Sequence, residues 1–184
     1  MDRADPRSRR DAYGSRINRA HSPALAYAVP WATILLASML PAFPIASAAP
    51  VVPPLGLMTL VAWRLVRPGL MPVWAGFPLG LFDDLFSGQP FGSAILLWSL
   101  AMLAIEAVEA RFPWRSFVQD WLIATAILAT YIAAAAVLSG GQLGAPLFGA
   151  LVPQVLLSLM LYPILARLIS ALDRFRLLRV RVLG

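Results

Sequence analysis

The stretch GFPLGLFDDLFSGQPFG, residues 76–92, decides how the chain is read, because an apolar run there ends in two adjacent carboxylates, Asp83 and Asp84, and a Ser-Gly-Gln-Pro turn. Acidic groups in hydrocarbon are costly, and at its edge they need water or hydrogen-bond donors. The flanking segments therefore have to say where this turn lies. On either side the chain is apolar, and overall 60% of its 184 residues are hydrophobic and 13% charged, with a mean hydropathy of +0.75. That is more apolar surface than one soluble core of this length can cover, so the composition indicates an all-α integral membrane protein.

Reading outward, apolar segments fall at residues 24–43, 51–66, 69–86, 91–110, 117–138 and 146–168. At roughly 20 residues per helical crossing, this predicts a six-transmembrane-helix bundle, with the second segment short. Pro30 and Pro41 are expected to kink or fray the first segment, and Pro44 and Pro50 mark the loop after it. The predicted organisation is a flexible basic cytoplasmic tail at 1–22, a membrane domain at 23–169 and a basic amphipathic tail at 170–184. Ala46-Ser47-Ala48 imitates a signal cleavage site, but the preceding apolar run exceeds the roughly 7–15 residues of a signal core, so an uncleaved anchor is expected.

Arginine supplies all fifteen basic residues of the +6 net charge. Six precede the first segment, and Arg64, Arg67, Arg111, Arg115, Arg167, Arg174, Arg176, Arg179 and Arg181 fill alternate connections and the C-terminus. The remaining loops, around 44–50, 84–90 and 139–145, contain none. Six crossings with both termini cytoplasmic put every arginine on one side, as the positive-inside rule requires. Anionic lipid then accounts for the charge, and nucleic acid is not expected as a partner.

Asp83 and Asp84 consequently face the outer side, at the C-terminal, negative pole of the third segment. Backbone donors around Ser87 and Gly88 are expected to compensate through an Asx-type turn, and Pro90 to occupy the first helical position of the fourth segment. Gly76 and Gly80 form a small-xxx-small face for close helix approach, with Gly92 able to do the same. Glu106 and Glu109 sit one turn apart at the unfavourable end of the fourth segment, and are expected to form structural ion pairs with Arg64, Arg67 or Arg111. Asp120 opens a helix, where the dipole favours it. In the last stretch, Phe175, Leu178 and Val182 share one helical face opposite Arg174 and Arg181, so an amphipathic helix is expected, with Arg174, Arg176, Arg179 and Arg181 against anionic lipid, or, as the second reading, docking a cytoplasmic partner.

Catalytic candidates are few. His21 is the one histidine and lies in the basic tail, and cysteine is absent. Neighbouring carboxylates on a helix diverge by about 100°, so Asp83 and Asp84 make no protease dyad. Neither a catalytic set nor a metal or cofactor site is expected.

Trp63-Arg64-Leu65-Val66-Arg67-Pro68, followed by Gly80-Leu81-Phe82-Asp83-Asp84-Leu85-Phe86-Ser87-Gly88-Gln89-Pro90-Phe91-Gly92, resembles the rod shape-determining MreD family. In that family a tryptophan and basic residues precede a proline, and a short apolar helix ends in G-L-x-x-D-x-x-x-G-x-P-x-G. Asp84, Gly88, Pro90 and Gly92 fall on its positions, and Asp83 is an extra acid. The resemblance implies a non-enzymatic inner-membrane scaffold of the cell-elongation machinery that makes lateral peptidoglycan. It implies MreC as partner, alongside MreB, RodA and a penicillin-binding transpeptidase, and a fold like the substrate-binding subunits of energy-coupling-factor transporters. A second reading is the substrate-binding membrane subunit of a small-molecule transporter, with the 83–92 turn closing a pocket.

Overall fold

The computed structural model describes residues 19–21, 23–42, 52–141, 144–176 and 179–181. The rest of the N-terminal tail, the Ala46-Ser47-Ala48 site, Pro44 and Pro50, and Leu178 and Val182 lie outside the described residues. Six α-helices occur among those described: α1 Pro23–Met39, α2 Leu55–Val66, α3 Gly76–Asp84, α4 Ser93–Arg111, α5 Phe117–Leu138 and α6 Ala145–Arg176. A 3-10 turn, Leu40–Ala42, extends α1, and another, Val73–Ala75, leads into α3. Two short strands, β1 Arg19–His21 and β2 Arg179–Arg181, pair antiparallel with Arg19 opposite Arg181. Three helices are long and apolar enough to cross a membrane: α4, α5 and the Gly149–Arg176 part of α6. The chain is thus a helical membrane protein.

The bundle is built around its second helix. Every residue of α2 from Gly56 to Leu65 is buried, and α1, α4, α5 and α6 all pack against it. A helix apolar on all sides demands such an envelope. Its 12 residues span about 18 Å, well short of the roughly 30 Å of hydrocarbon. Val52, Pro53 and Pro54 are irregular, and Pro54 stands as the cap of the helix. The expected third segment, 69–86, is likewise shorter as a helix. Gly69, with φ +78°, and Pro72 break it, leaving nine residues in α3.

The long helices follow the apolar pattern closely. α5 has the expected bounds, and its N-terminus carries a capping box in which Ser116 and Gln119 satisfy each other's backbone N–H. α6 runs to Arg176 rather than stopping at 168, because Ile169, Leu172, Asp173 and Arg176 continue its inward face. The expected amphipathic helix over the C-terminal tail is therefore replaced by the end of α6 and strand β2. Arg19–His21, expected in a structureless tail, supplies the partner strand.

Prolines inside the helices act as attachment points between them. Pro30 lacks an N–H, so the Ala26 carbonyl one turn back has no helical donor, and the Arg176 guanidinium fills the gap at 2.9 Å. Pro163 frees the Leu159 carbonyl in the same way, and the Trp121 indole N–H donates to it at 3.0 Å. One hook joins α6 to α1, the other α5 to α6. Trp63 adds a third tie, donating to Thr33 Oγ1 on α1 at 2.9 Å.

Candidate functional site

The turn between α3 and α4 is held by Asp84. Its carboxylate accepts from the backbone N–H groups of Gly92 and Ala94, both at 2.9 Å, and of Ile95 at 3.3 Å. These are the cap, second and third positions of α4, whose own N-cap, Gly92, has no side chain to offer. The carboxylate from one helix thus caps the next, and it faces the positive end of the α4 dipole. Gly88 and Gly92 adopt φ +67° and +93°, left-handed conformations that glycine reaches without a Cβ penalty, and they bend the chain back toward Asp84.

This corrects two expectations. Donors around Ser87 and Gly88 do not serve the carboxylates: Ser87 N–H donates to the Asp83 carbonyl at 2.8 Å. Pro90 is not the first helical residue, since α4 begins at Ser93, and the Pro90 carbonyl accepts from Ser93 N–H at 3.0 Å. The unfavourable pole of α3 is offset because the side chain reaches the opposite pole of its neighbour.

Gly76 and Gly80 lie against α4 of the same chain. A Cβ on Gly80 would stand 2.6 Å from the Ala94 carbonyl oxygen, and one on Gly76 2.8 Å from that of Trp98. Only hydrogen fits there. Among the described residues Gly92 has nothing within 4 Å of its Cβ position, and its φ of +93° explains a glycine there.

Asp83 points elsewhere. It is 7% exposed, and among the described residues it enters no ion pair. It lines a cavity of about 270 Å³ with Ser87, Gln89, Tyr131 and Gln154, beside the N-terminal end of α2. Gln89 donates to the Tyr131 hydroxyl at 3.4 Å, and Gln154 to the Val52 carbonyl at 2.8 Å. The Ser87 hydroxyl is buried without a partner among the described residues. Tyr131 and Gln154 did not stand out in the sequence, although a polar group in each of two otherwise apolar segments was the available signal.

At the other end of α2, Arg64 is 2% exposed and ties three elements. It pairs with Glu106, pairs with Glu109 at 2.9 Å, and donates to the Met71 carbonyl. Arg67, expected on the same glutamates, instead meets Asp173 of α6 at 2.7 Å. Arg111 enters no ion pair among the described residues. Arg115 pairs with Asp120 at 2.7 Å, across the start of α5.

Arg176, expected against lipid, is only 6% exposed. It bonds Asp173 at 2.7 Å, holds the Ala26 carbonyl and places its guanidinium 5.7 Å from the Trp63 ring centroid. The helical phase of α6 explains the difference: Arg174 is exposed, and Arg176, 200° further round, points inward. Arg179 and Arg181 lie in β2.

Two clamps thus secure opposite ends of α2's surroundings. Asp84 fixes α3 to α4 at one, and Arg64, Arg67 and Arg176 join α1, α2, α4 and α6 at the other. Among known proteins, no curated protein and no solved structure matches the chain significantly. The family described as rod shape-determining protein MreD matches residues 24–174, nearly the whole helical region and every residue of the two clamps except Arg176. On that match the chain belongs to the MreD family, membrane proteins that take part in determining rod shape.

Proposed function

We propose that the protein is a non-enzymatic scaffold of the cell-elongation machinery in the bacterial inner membrane, where it holds MreC beside MreB, RodA and a penicillin-binding transpeptidase. One observation carries this reading. Five charged groups of the helical region, Asp84, Arg64, Glu109, Asp173 and Arg176, tie helices to their neighbours, while α4 and α6 leave Leu96, Leu100, Leu103, Met160 and Ile164 exposed. A body locked from within, with long apolar faces outward, suits the lateral docking of a partner's membrane helix.

In this reading the chain crosses six times with both ends cytoplasmic. The distribution of arginine supports that orientation, and the envelope around α2 supports counting its short helix as a crossing. Gly76 and Gly80 serve internal packing, which leaves the exposed faces of α4 and α6 for the partner. The test is co-purification of MreC with the tagged full chain from mild detergent. Recovery with the wild type, and its loss when Leu100 and Leu103, or Met160 and Ile164, are changed to tryptophan without loss of the fold, is the expected result. Absence of MreC from a well-folded preparation would refute it.

A further inference from the structure

The two adjacent aspartates have separate fates, and the difference points to a binding site. Asp84 has both oxygens occupied by the amides of α4. Asp83, as deeply buried, has the buried Ser38 hydroxyl of α1 as its donor, and among the described residues it has no cation. One hydroxyl does not compensate a buried charge, so the carboxylate is unfavourable unless something else supplies further donors and a positive charge.

The cavity beside it sets what that can be. At about 270 Å³ it equals roughly nine water volumes of ~30 Å³, below the usual range for drug-sized ligands. Its polar lining is rich in acceptors: the Asp83 carboxylate, the unpartnered Ser87 hydroxyl and the Gln154 side chain, whose amide N–H is already given to Val52. No arginine is among its described lining residues. Leu55, Ile132 and Leu151 complete the wall with apolar surface. A hard divalent ion would want six or more oxygen ligands and usually a second carboxylate, and Asp84 is committed. An ammonium group needs about three acceptors, which this wall provides.

We propose that this cavity binds a primary ammonium group of the ethanolamine type through Asp83, either as a free small amine or as the headgroup of a lipid. The carboxylate accepts charge-assisted hydrogen bonds from the ammonium, Ser87 and Gln154 take its remaining N–H groups, and the Tyr131 hydroxyl borders the site from α5. The proposal is independent of the partner-holding role, since a scaffold without MreC could still carry it.

The test uses the full chain in nanodiscs. In discs of phosphatidylcholine alone, ethanolammonium chloride is titrated while the melting temperature is followed, with ethylene glycol as the neutral control. In a parallel set, phosphatidylethanolamine replaces part of the phosphatidylcholine. A rise in melting temperature with ethanolammonium identifies the free amine, a rise with phosphatidylethanolamine the lipid, and either supports the site. Asp83→Asn should weaken the response about tenfold or more, the loss of one charge-assisted bond. Gln154→Leu, which leaves Asp83 in place, should weaken it as well. No response in either set, an equal response to ethylene glycol, or an undiminished response of Asp83→Asn would overturn the proposal.

Discussion

Replacing Asp84 with alanine removes an acceptor from three backbone N–H groups at once, one of which, that of Ala94, is buried. Hydrogen bonds to a charged acceptor are each worth roughly 1.5–3 kcal/mol, and three on one carboxylate do not add in full. Stranding the first turn of α4, with loss of the favourable dipole, should cost about 3–5 kcal/mol. Asp84→Asn keeps one acceptor oxygen but turns an N–H donor toward the amides, so about 2 kcal/mol is expected. The neighbouring Asp83→Asn should do the reverse. It removes a buried charge that has no cation, and should leave stability unchanged or raise it. Reversible unfolding in mixed micelles, read by far-UV circular dichroism, measures all three. The reasoning fails if Asp84→Ala unfolds within about 0.5 kcal/mol of the wild type, or if Asp83→Asn costs as much as Asp84→Asn.

Other outcomes follow from the remaining contacts. Arg64→Met should destabilise the bundle by about 3–5 kcal/mol, because it leaves Glu109 partly buried and unpaired. The two glutamates should differ: Glu109, 14% exposed, should cost more on change to Gln than Glu106, which at 55% exposure is screened and should cost under about 1 kcal/mol. Equal effects in thermal melts would contradict this. Gly80→Ala should cost about 1–3 kcal/mol by forcing α3 off the Ala94 carbonyl, while Gly149→Ala, with nothing within 4 Å among the described residues, should be nearly neutral. Because the chain has no cysteine, single thiols report topology cleanly: Ser139→Cys should react with an impermeant maleimide in intact cells, and Ser116→Cys only after permeabilisation.

Much of the architecture was legible in the sequence because hydrocarbon imposes coarse rules. Apolar length located α4 and α5 within a few residues, and the alternation of arginine-rich and arginine-free connections suggested an orientation. The short helices were less legible. Proline and glycine at 53, 54, 69 and 72 shorten α2 and α3, and only the surrounding bundle makes such lengths acceptable. The polar contacts were hardest to read. The i−4 rule says that Pro30 and Pro163 free the carbonyls of Ala26 and Leu159, yet nothing local says that Arg176 and Trp121 will take them. Asp84 looked misplaced from its own helix alone, since its partner is the start of the next one. Arg67 and Arg176 differ from expectation for a related reason: Asp173 on α6, 106 residues beyond Arg67, captures both.

Cell shape tests the central claim most directly. With the gene deleted in its own bacterial host and the protein supplied from an inducible copy, cell width along the long axis is measured as expression is withdrawn and restored. Rods should round up on withdrawal and return with the wild type and with Asp83→Asn, and Asp84→Ala should restore them poorly in step with its lost stability. Cells that keep a constant width without the protein would contradict the account.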